Sequence, residues 1–400
     1  MPLPRPRWIA AASAGVVVAL AAVLVACRSG DGDRATGPTG PTTFADVDAA
    51  MAARVRDAHL DGAELLVARK DGTVLFQQLY GGSTGGEVMP IASASKWLTS
   101  ATLLTLVDEG KLSLDEPVAR WLPAFADGDK ARITVRQLLS HRSGLAQDGC
   151  IWDTATTLEA CVDQIAAAPL VDAPGARFAY GNTSYQVAAR VGEVVGGLPF
   201  QELFFQRIAT PLGLTDTRFD GGRPTANPAP AASGSSTATD YGRFLRMLAN
   251  DGELDGRRVL SPASVAELQR DQVGGLDTSK DPAVQITGVP TYGLGLWRDR
   301  VDDQDRAVVV SGSGSLGFYP WLDHEHGTYG IVAVADEAHG DGRAVRASHR
   351  ICDLALAATA TALASTPTTG SSTGSSTGSP TASSATASGQ GSTGTLGPTR

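Results

Sequence analysis

The chain is poor in the residues and motifs that serve metal, nucleotide or nucleic-acid binding. Its 400 residues include four cysteines and six histidines, and none stands at zinc-finger spacing. No glycine-rich phosphate loop precedes a helix, and no dinucleotide fingerprint is present. Asp and Glu (42) outnumber Lys and Arg (33), which leaves a formal net charge of −9. Because phosphate backbones attract basic surfaces, we expect no nucleic-acid partner. Because the metal and nucleotide motifs are missing, we expect no metal or organic cofactor.

What the sequence does contain at its start is an apolar run behind two arginines. The run covers residues 9–25, shorter than most membrane-spanning helices, and leads into Leu-Val-Ala-Cys at 24–27. That tetrapeptide resembles the lipobox of bacterial lipoproteins, in which the cysteine carries the lipid. We predict a lipoprotein-type signal over 1–27, with Cys27 as a membrane anchor. A plain cleaved signal or an uncleaved anchor helix are the alternatives, and all three export the rest of the chain.

Composition separates a folded part from two flexible flanks. Residues 28–43 are rich in Gly, Pro, Thr and Asp, which is typical of a flexible tether. Residues 365–400 are almost entirely Ser, Thr, Gly, Pro and Ala, too little apolar material to offset the entropy of ordering. We therefore predict one folded domain over 44–364 and a disordered tail after it.

Strand patterns stand at both ends of the folded part, and helical patterns fill its middle. Apolar runs at 63–69 and 73–80 flank Asp71-Gly72, a strong hairpin signal. Helices are predicted at 93–109, 134–139, 184–195, 200–208, 239–250, 262–270 and 343–363. Further strands are predicted at 306–311, 318–322 and 329–335. This order predicts an α/β fold of the α+β type: one antiparallel sheet from both chain ends, flanked by helices, with an inserted all-helical subdomain over about 110–290.

A Ser-x-x-Lys motif opens the first of these helices. Ser93 and Lys96 are three residues apart, so they are neighbours on a helix surface. A serine hydroxyl becomes a nucleophile when a nearby base takes its proton, and a lysine kept neutral by burial can do so. The motif also arises by chance on solvated helix faces. However, no other lysine has Ser or Thr three residues earlier, and an apolar segment, 89–92, precedes this motif.

Tyr180-Gly181-Asn182 is the second candidate motif. No other tyrosine in the chain has Asn two positions later. A phenol near a lysine can have a lowered pKa and act as a general base, while the Asn182 amide can bind a substrate carbonyl or the lysine. Taken alone, a loop tyrosine followed by a turn-forming asparagine explains the pattern equally well.

Together with longer segments, these motifs resemble the serine β-lactamase and D-Ala-D-Ala carboxypeptidase superfamily, especially its class C and esterase branch. The family carries Ser-x-x-Lys and then Tyr-x-Asn in this order. The similar segments are LLSHRSGL at 138–145, PGARFAYGNTSYQVAARVGEVV at 174–195, PLGLTDT at 211–217, TATDYGRFLRMLANDGELDGRRVLSP at 237–262 and YGLGLW at 292–297. The resemblance covers about 50–340. It implies an antiparallel sheet beside an all-helical domain, with the active-site serine between them.

The resemblance also implies roles for individual residues. Ser93 matches the nucleophile, Lys96 the lysine, Tyr180 the base or proton shuttle, and Asn182 the amide that positions the substrate. The implied chemistry is acyl transfer through a covalent intermediate on a small-molecule or peptide substrate. An alternative from another class is a penicillin-binding receptor or sensor that is acylated at Ser93 without turnover.

The third box of the family, Lys-Thr-Gly or His-x-Gly, is where this chain departs. Its counterpart begins at Ser311, so Ser stands where a cation is expected. We take Ser311, Ser313 and Gly314 as candidate substrate-binding residues, with an oxyanion-hole N–H near Gly314 beside that of Ser93. Without a cation for a substrate carboxylate, small esters or amides are favoured over D-Ala peptides and β-lactams.

The remaining histidines and cysteines receive structural interpretations. The resemblance implies a supporting role for His141 rather than membership of a Ser-His-Asp triad. His324 and His326 flank an acidic residue, which indicates an exposed hairpin turn more than a metal site. Cys150 and Cys161 are expected to form a disulfide in an oxidising compartment, which leaves one cysteine alone in the last helix.

Overall fold

The computed structural model describes residues 41–220, 223–339 and 342–365. The predicted signal (1–27), almost all of the predicted tether (28–43) and all but the first residue of the predicted tail (365–400) lie outside these ranges. Within them, no helix is both long and apolar enough to cross a membrane.

A six-stranded antiparallel sheet joins the two ends of the folded part, as predicted. Its strands are β1 (Gly62–Arg69), β2 (Val74–Gly81), β3 (Trp297–Val301), β4 (Ala307–Ser311), β5 (Tyr319–Asp323) and β6 (Thr328–Ala333). Their spatial order is β2-β1-β6-β5-β4-β3. Leu66 of β1 stands opposite Ile331 of β6, so the two chain ends meet at the sheet centre. Two-residue strand pairs lie elsewhere, Met89–Pro90 with Ser235–Ser236 and Glu253–Leu254 with Arg257–Arg258.

Helices cover both faces of the sheet. In the described residues they are α1 (Phe44–Asp57), α2 (Ser95–Asp108), α3 (Val135–Leu139), α4 (Leu158–Ala167), α5 (Thr183–Gly196), α6 (Phe200–Phe204), α7 (Thr210–Leu212), α8 (Ala238–Ala249), α9 (Pro262–Gln269), α10 (Pro282–Thr287) and α11 (Arg343–Ala364). A π-helical turn, Phe205–Ala209, joins α6 to α7. Helices α2 to α10 all fall between β2 and β3 in sequence, which is the predicted helical insertion.

The two faces of the sheet belong to different cores. Leu65 and Val67 pack with α1 and α11, whereas Leu66 and Ala68 pack with α2 and the other inserted helices. Because successive side chains of a strand point to opposite faces, β1 is buried at six consecutive positions. The continuous apolar run in the sequence therefore reflects a central strand covered on both sides.

Helix α1 is not predicted from the sequence, because Asp46 and Asp48 near its start look like solvated residues beside the tether. Its start is held by a capping box in which Thr43 and Asp46 bond each other's backbone. Asp48, two residues further on, accepts a 2.9 Å hydrogen bond from the Tyr80 hydroxyl of β2. Polar residues thus fix this helix to the sheet.

The cysteines lie as the sequence predicts. Cys150 and Cys161 form a disulfide that ties the loop before α4 to that helix. Cys352 is a buried free thiol in α11. The histidine pair near 325 lies in the β5–β6 hairpin turn, where the Asp323 carboxylate accepts hydrogen bonds from the backbone of Glu325 and the ring of His326.

Gly330 of β6 offers a test of the sheet packing. It pairs with Trp321 of β5, whose ring lies over it, and a Cβ added there would stand 2.0 Å from a ring carbon. We expect Gly330→Ala to lower the free energy of unfolding by about 1–3 kcal/mol, because the indole must move within a packed core. Urea unfolding followed by tryptophan fluorescence measures it. Gly149→Ala, where an added Cβ meets nothing within 4 Å, is the control; equal midpoints for both variants would contradict the packing.

Candidate active site

The candidate nucleophile lies at a sharp bend of the backbone. Ser93 is the middle residue of a short 3₁₀ turn, Ala92–Ala94, that runs directly into α2. The preceding Ala92 has φ +44°, a left-handed conformation that residues with a Cβ rarely adopt. The bend is held because the Ile91 N–H donates to the Gly234 carbonyl at 2.9 Å. The fold therefore presents Ser93 at the positive end of a helix.

Lys96 reaches back along α2 to Ser93. Its Nζ lies 2.9 Å from Ser93 Oγ, 3.0 Å from Asn182 Oδ1 and 3.1 Å from the Ala231 carbonyl. The residue is 0% exposed, and burial lowers the pKa of Lys96 from its usual 10.5 to about 7. A neutral amine can donate to Asn182 and Ala231 and still accept the proton of Ser93. No sequence signal marks Ala231, since any residue supplies a carbonyl.

Tyr180 completes the cluster from the loop before α5. Its ring centroid is 4.7 Å from Lys96 Nζ, and its hydroxyl is near enough to Ser93 to influence the pKa of the phenol. The expectation of a lowered phenol pKa is wrong. Desolvation by the surrounding protein raises the pKa of Tyr180 above its usual 10. The interaction with Ser93 offsets this rise in part, and the charge of Asp281 adds to it. At neutral pH the phenol keeps its proton, so Lys96 is the group available as a base.

Asn182 and Gly181 are fixed by a side chain that the sequence did not flag. The Asn182 N–H donates to Gln147 Oε1 at 3.0 Å. A Cβ at Gly181 would lie 2.1 Å from the Gln147 side-chain nitrogen, so a larger residue there would displace the amide that bonds the Asn182 backbone. Gln147 stands three residues before Cys150, so the disulfide restrains the loop that holds Asn182.

His141 lies behind Tyr180. The two ring centroids are 4.4 Å apart, and His141 Nδ1 accepts a 3.4 Å hydrogen bond from the Gly181 N–H. Burial, and then the charge of Lys96, hold the pKa of His141 well below its usual 6.5, so the ring is neutral. No hydrogen bond within the described ranges joins it to Ser93. This geometry fits support of the Tyr180 loop.

The structure corrects the assignment of Ser311. Its hydroxyl is hydrogen-bonded to the Asp299 carboxylate at 3.0 Å and to the Tyr319 hydroxyl at 3.1 Å, among residues that pack against the terminal helices. Instead, a side chain at Gly312 would meet the ring of Trp97 on α2, 3.1 Å away. A shift of one residue along a strand exchanges the two faces, so Ser311 is not a substrate-binding residue.

The expected oxyanion donor near Gly314 is not the N–H of Gly314 itself. That N–H donates to the Phe318 carbonyl at 2.8 Å, and the Gly312 N–H to the Pro320 carbonyl at 3.0 Å. In an extended segment successive N–H groups point to opposite sides, so those of Ser313 and Ser315 point away from the β5 side of the segment that follows β4. Neither of these two N–H groups donates to a backbone acceptor in the described part of the chain. They are therefore the strand donors available to pair with the Ser93 N–H.

Comparisons with known proteins agree with this geometry. A family model described as Beta-lactamase matches residues 47–355, which include every residue of the cluster. Penicillin-binding protein 4 of Amycolatopsis lactamdurans is 34% identical over 256 residues, 52% of this chain and 66% of that protein. Esterase EstB of Burkholderia gladioli is 31% identical over 219 residues, 46% of this chain and 55% of that protein.

A solved structure agrees over a longer span. A candidate beta-lactamase from Bacteroides dorei DSM 17855 matches with a TM-score of 0.73 and 32% sequence identity, covering 79% of this chain and 98% of that one. The agreement extends over both the sheet and the inserted helices, since it takes in most of the described residues.

Burial of Lys96 predicts a particular pH dependence of stability. Below about pH 7 the amine is charged in both the folded and the unfolded chain. Between about 7 and 10.5 only the unfolded chain holds the proton, so wild-type stability rises with pH relative to Lys96→Met. From pH 7 to pH 9 we expect a relative gain of about 2 kcal/mol. Urea unfolding of both proteins at several pH values measures it. Parallel curves would show that the amine stays charged in the folded state.

Proposed function

Because the chain belongs to the beta-lactamase family, we propose that it is an exported serine hydrolase that cleaves an ester or amide through an acyl-enzyme. The observation that carries this proposal is the 2.9 Å contact between Nζ of the fully buried Lys96 and Oγ of the partly buried Ser93. A lysine with a pKa near 7 is matched to general-base work at neutral pH.

In the proposed first step, Ser93 Oγ attacks the substrate carbonyl carbon and its proton passes to neutral Lys96. The carbonyl oxygen becomes an oxyanion. The N–H of Ser93 and one of the strand N–H groups at Ser313 or Ser315 stabilise it. Because the backbone on both sides is fixed by hydrogen bonds, these donors need little reorganisation when the charge develops.

In the second step the tetrahedral intermediate collapses. The bond to the leaving group breaks, and the leaving oxygen or nitrogen takes a proton. Tyr180 is suited to donate it, because its raised pKa keeps the hydroxyl protonated and its ring lies beside Lys96 Nζ, 4.7 Å from the centroid. The Lys96 ammonium then restores the phenol proton. Water then cleaves the acyl-enzyme by the same proton path in reverse. Asn182 positions Lys96 through its side-chain oxygen, and its amide also positions the substrate carbonyl.

The chemistry of the third strand favours substrates without a carboxylate beside the scissile bond. Residues 311–315 are all Ser or Gly, and the one serine at the cation position is turned to Asp299. A site without a cation there gives a penicillin or a peptide terminus no charge-assisted anchor. The relative described as an esterase supports small esters or amides as the substrate class.

We place this activity outside the cytoplasm, on a lipid anchor at Cys27. The support is the sequence pattern at 9–27, together with a disulfide of the kind that persists in oxidising compartments. A penicillin-binding receptor is the second candidate function, because one relative is described as Penicillin-binding protein 4.

A substrate panel tests the proposed function. We expect wild-type protein to hydrolyse a p-nitrophenyl ester faster than nitrocefin or a D-Ala-D-Ala peptide. It should also react with a fluorophosphonate probe, and Ser93→Ala should lose both activities. Intact mass after incubation with benzylpenicillin examines the receptor: a lasting adduct without ester turnover would favour it. Probe labelling that survives in Ser93→Ala would remove Ser93 from the mechanism.

The base assignment predicts the pH profile. Since only neutral Lys96 can accept the Ser93 proton, kcat/KM for the ester should rise with pH through about 7, by about tenfold per unit on the acid side. Lys96→Arg, which stays charged, should be nearly inactive and should lack this limb. Steady-state rates from about pH 5 to 9 measure it. A flat wild-type profile would instead assign the base elsewhere.

A further inference from the structure

A second charged cleft lies on the other side of the sheet from Ser93. It is formed where α1 and α11 pack together, and its volume is about 490 Å³. Six charged side chains line it: Arg54, Asp57, Asp336, Arg343, Arg346 and Arg350. The mechanism proposed above uses none of them.

The cleft is positive in a chain that is negative overall. Four arginines face two aspartates in it, although the formal net charge of the chain is −9. Arg343, Arg346 and Arg350 follow at spacings of three and four, so they share one face of α11. Arg346 and Arg350 are exposed at the rim. These two side chains are therefore available to a ligand.

Arg54 forms the floor of the cleft and is only 9% exposed. Its Nη1 donates to Ser348 Oγ at 2.6 Å and its Nη2 to the Ala344 carbonyl at 3.3 Å, both neutral acceptors. Its Nε is buried and has no hydrogen-bond partner among the described residues. A buried guanidinium normally has its charge paired and its donors satisfied.

The surroundings compensate the charge of Arg54 incompletely. Burial lowers the pKa of Arg54 from its usual 12.5 to about 10, the charge of Asp336 offsets part of this, and that of Arg350 adds to it. An anion in the cleft would compensate this charge, since it would lie above Arg54 and beside Arg346 and Arg350 of α11.

We propose that this cleft binds a phosphate group, either free or as the headgroup of an anionic lipid. Guanidinium forks match phosphate oxygens in pairs, and several arginines around one cavity are the usual means of holding a doubly charged anion. The cleft also lies beside the first turn of α11, where helix backbone adds positive potential. The site is separate from hydrolysis, so its existence does not depend on the function proposed for Ser93.

Calorimetric titration of the full chain with inorganic pyrophosphate at low salt tests the site. We expect saturable binding that Arg346→Gln and Arg350→Gln each weaken by about fivefold or more. Arg257→Gln removes one exposed arginine from the short strand Arg257–Arg258 and should bind as wild type. No saturable heat at millimolar pyrophosphate, or equal weakening by all three variants, would overturn the proposal.

Vesicles distinguish the two sources of the phosphate. Co-sedimentation with phosphatidylglycerol vesicles, compared with phosphatidylcholine vesicles, isolates the contribution of the headgroup charge from that of any lipid anchor. A preference for phosphatidylglycerol that Arg346→Gln reduces identifies a lipid headgroup. Pyrophosphate binding without such a preference identifies a free phosphate compound. Fluorophosphonate labelling of Ser93 in the same samples reports on the hydrolase separately.

Discussion

The burial of one amine governs the arrangement of the active site. Lys96 is enclosed completely, so its hydrogen-bond partners must all come from the protein, and they come from three separate parts of the chain: Ser93, Asn182 and Ala231. These hydrogen bonds bring together the turn before α2, the start of α5 and the segment before Ser235. The same burial lowers the pKa of Lys96 to about 7, where the amine can accept a proton from an alcohol.

Around this amine, the fold assigns opposite tendencies to neighbouring groups. Burial makes Lys96 easier to deprotonate and makes Tyr180 harder to deprotonate, because in each case the charged form is disfavoured. One environment thus yields a base and an acid from adjacent side chains. Trp297, stacked on Tyr180 at 5.2 Å, and His141 on its other side keep the phenol in position.

The parts of the site that depend on local spacing were predictable from the sequence. Ser93 and Lys96 are neighbours by helix periodicity alone, and the Tyr-x-Asn motif was supported by a long resemblance around it. The sheet assembled from both chain ends likewise followed from the order of the patterns. Strand β3 was missed, because Trp297–Val301 carries charged residues at a sheet edge and lacks a continuous apolar run.

Other parts of the site depend on tertiary contacts that leave little trace in a sequence. Ser311 was misassigned because strand register decides which face a residue occupies, and one position changes that face. Gln147 acts through a side-chain bond to a backbone N–H, which many residues could make in other folds. A free carbonyl such as that of Ala231 has no sequence signature at all.

The turn that carries Ser315 has its anchors on the far side of the molecule. The Leu316 carbonyl accepts from the Asp336 N–H at 2.8 Å, and the Gly317 carbonyl accepts from Ser348 Oγ at 2.5 Å, which in turn is held by Arg54 of α1. The first and last helices of the domain therefore stabilise, from the opposite side of the sheet, the turn that carries Ser315 beside the active site. Truncation of the folded domain at either end would therefore destabilise this turn before it disrupted the sheet.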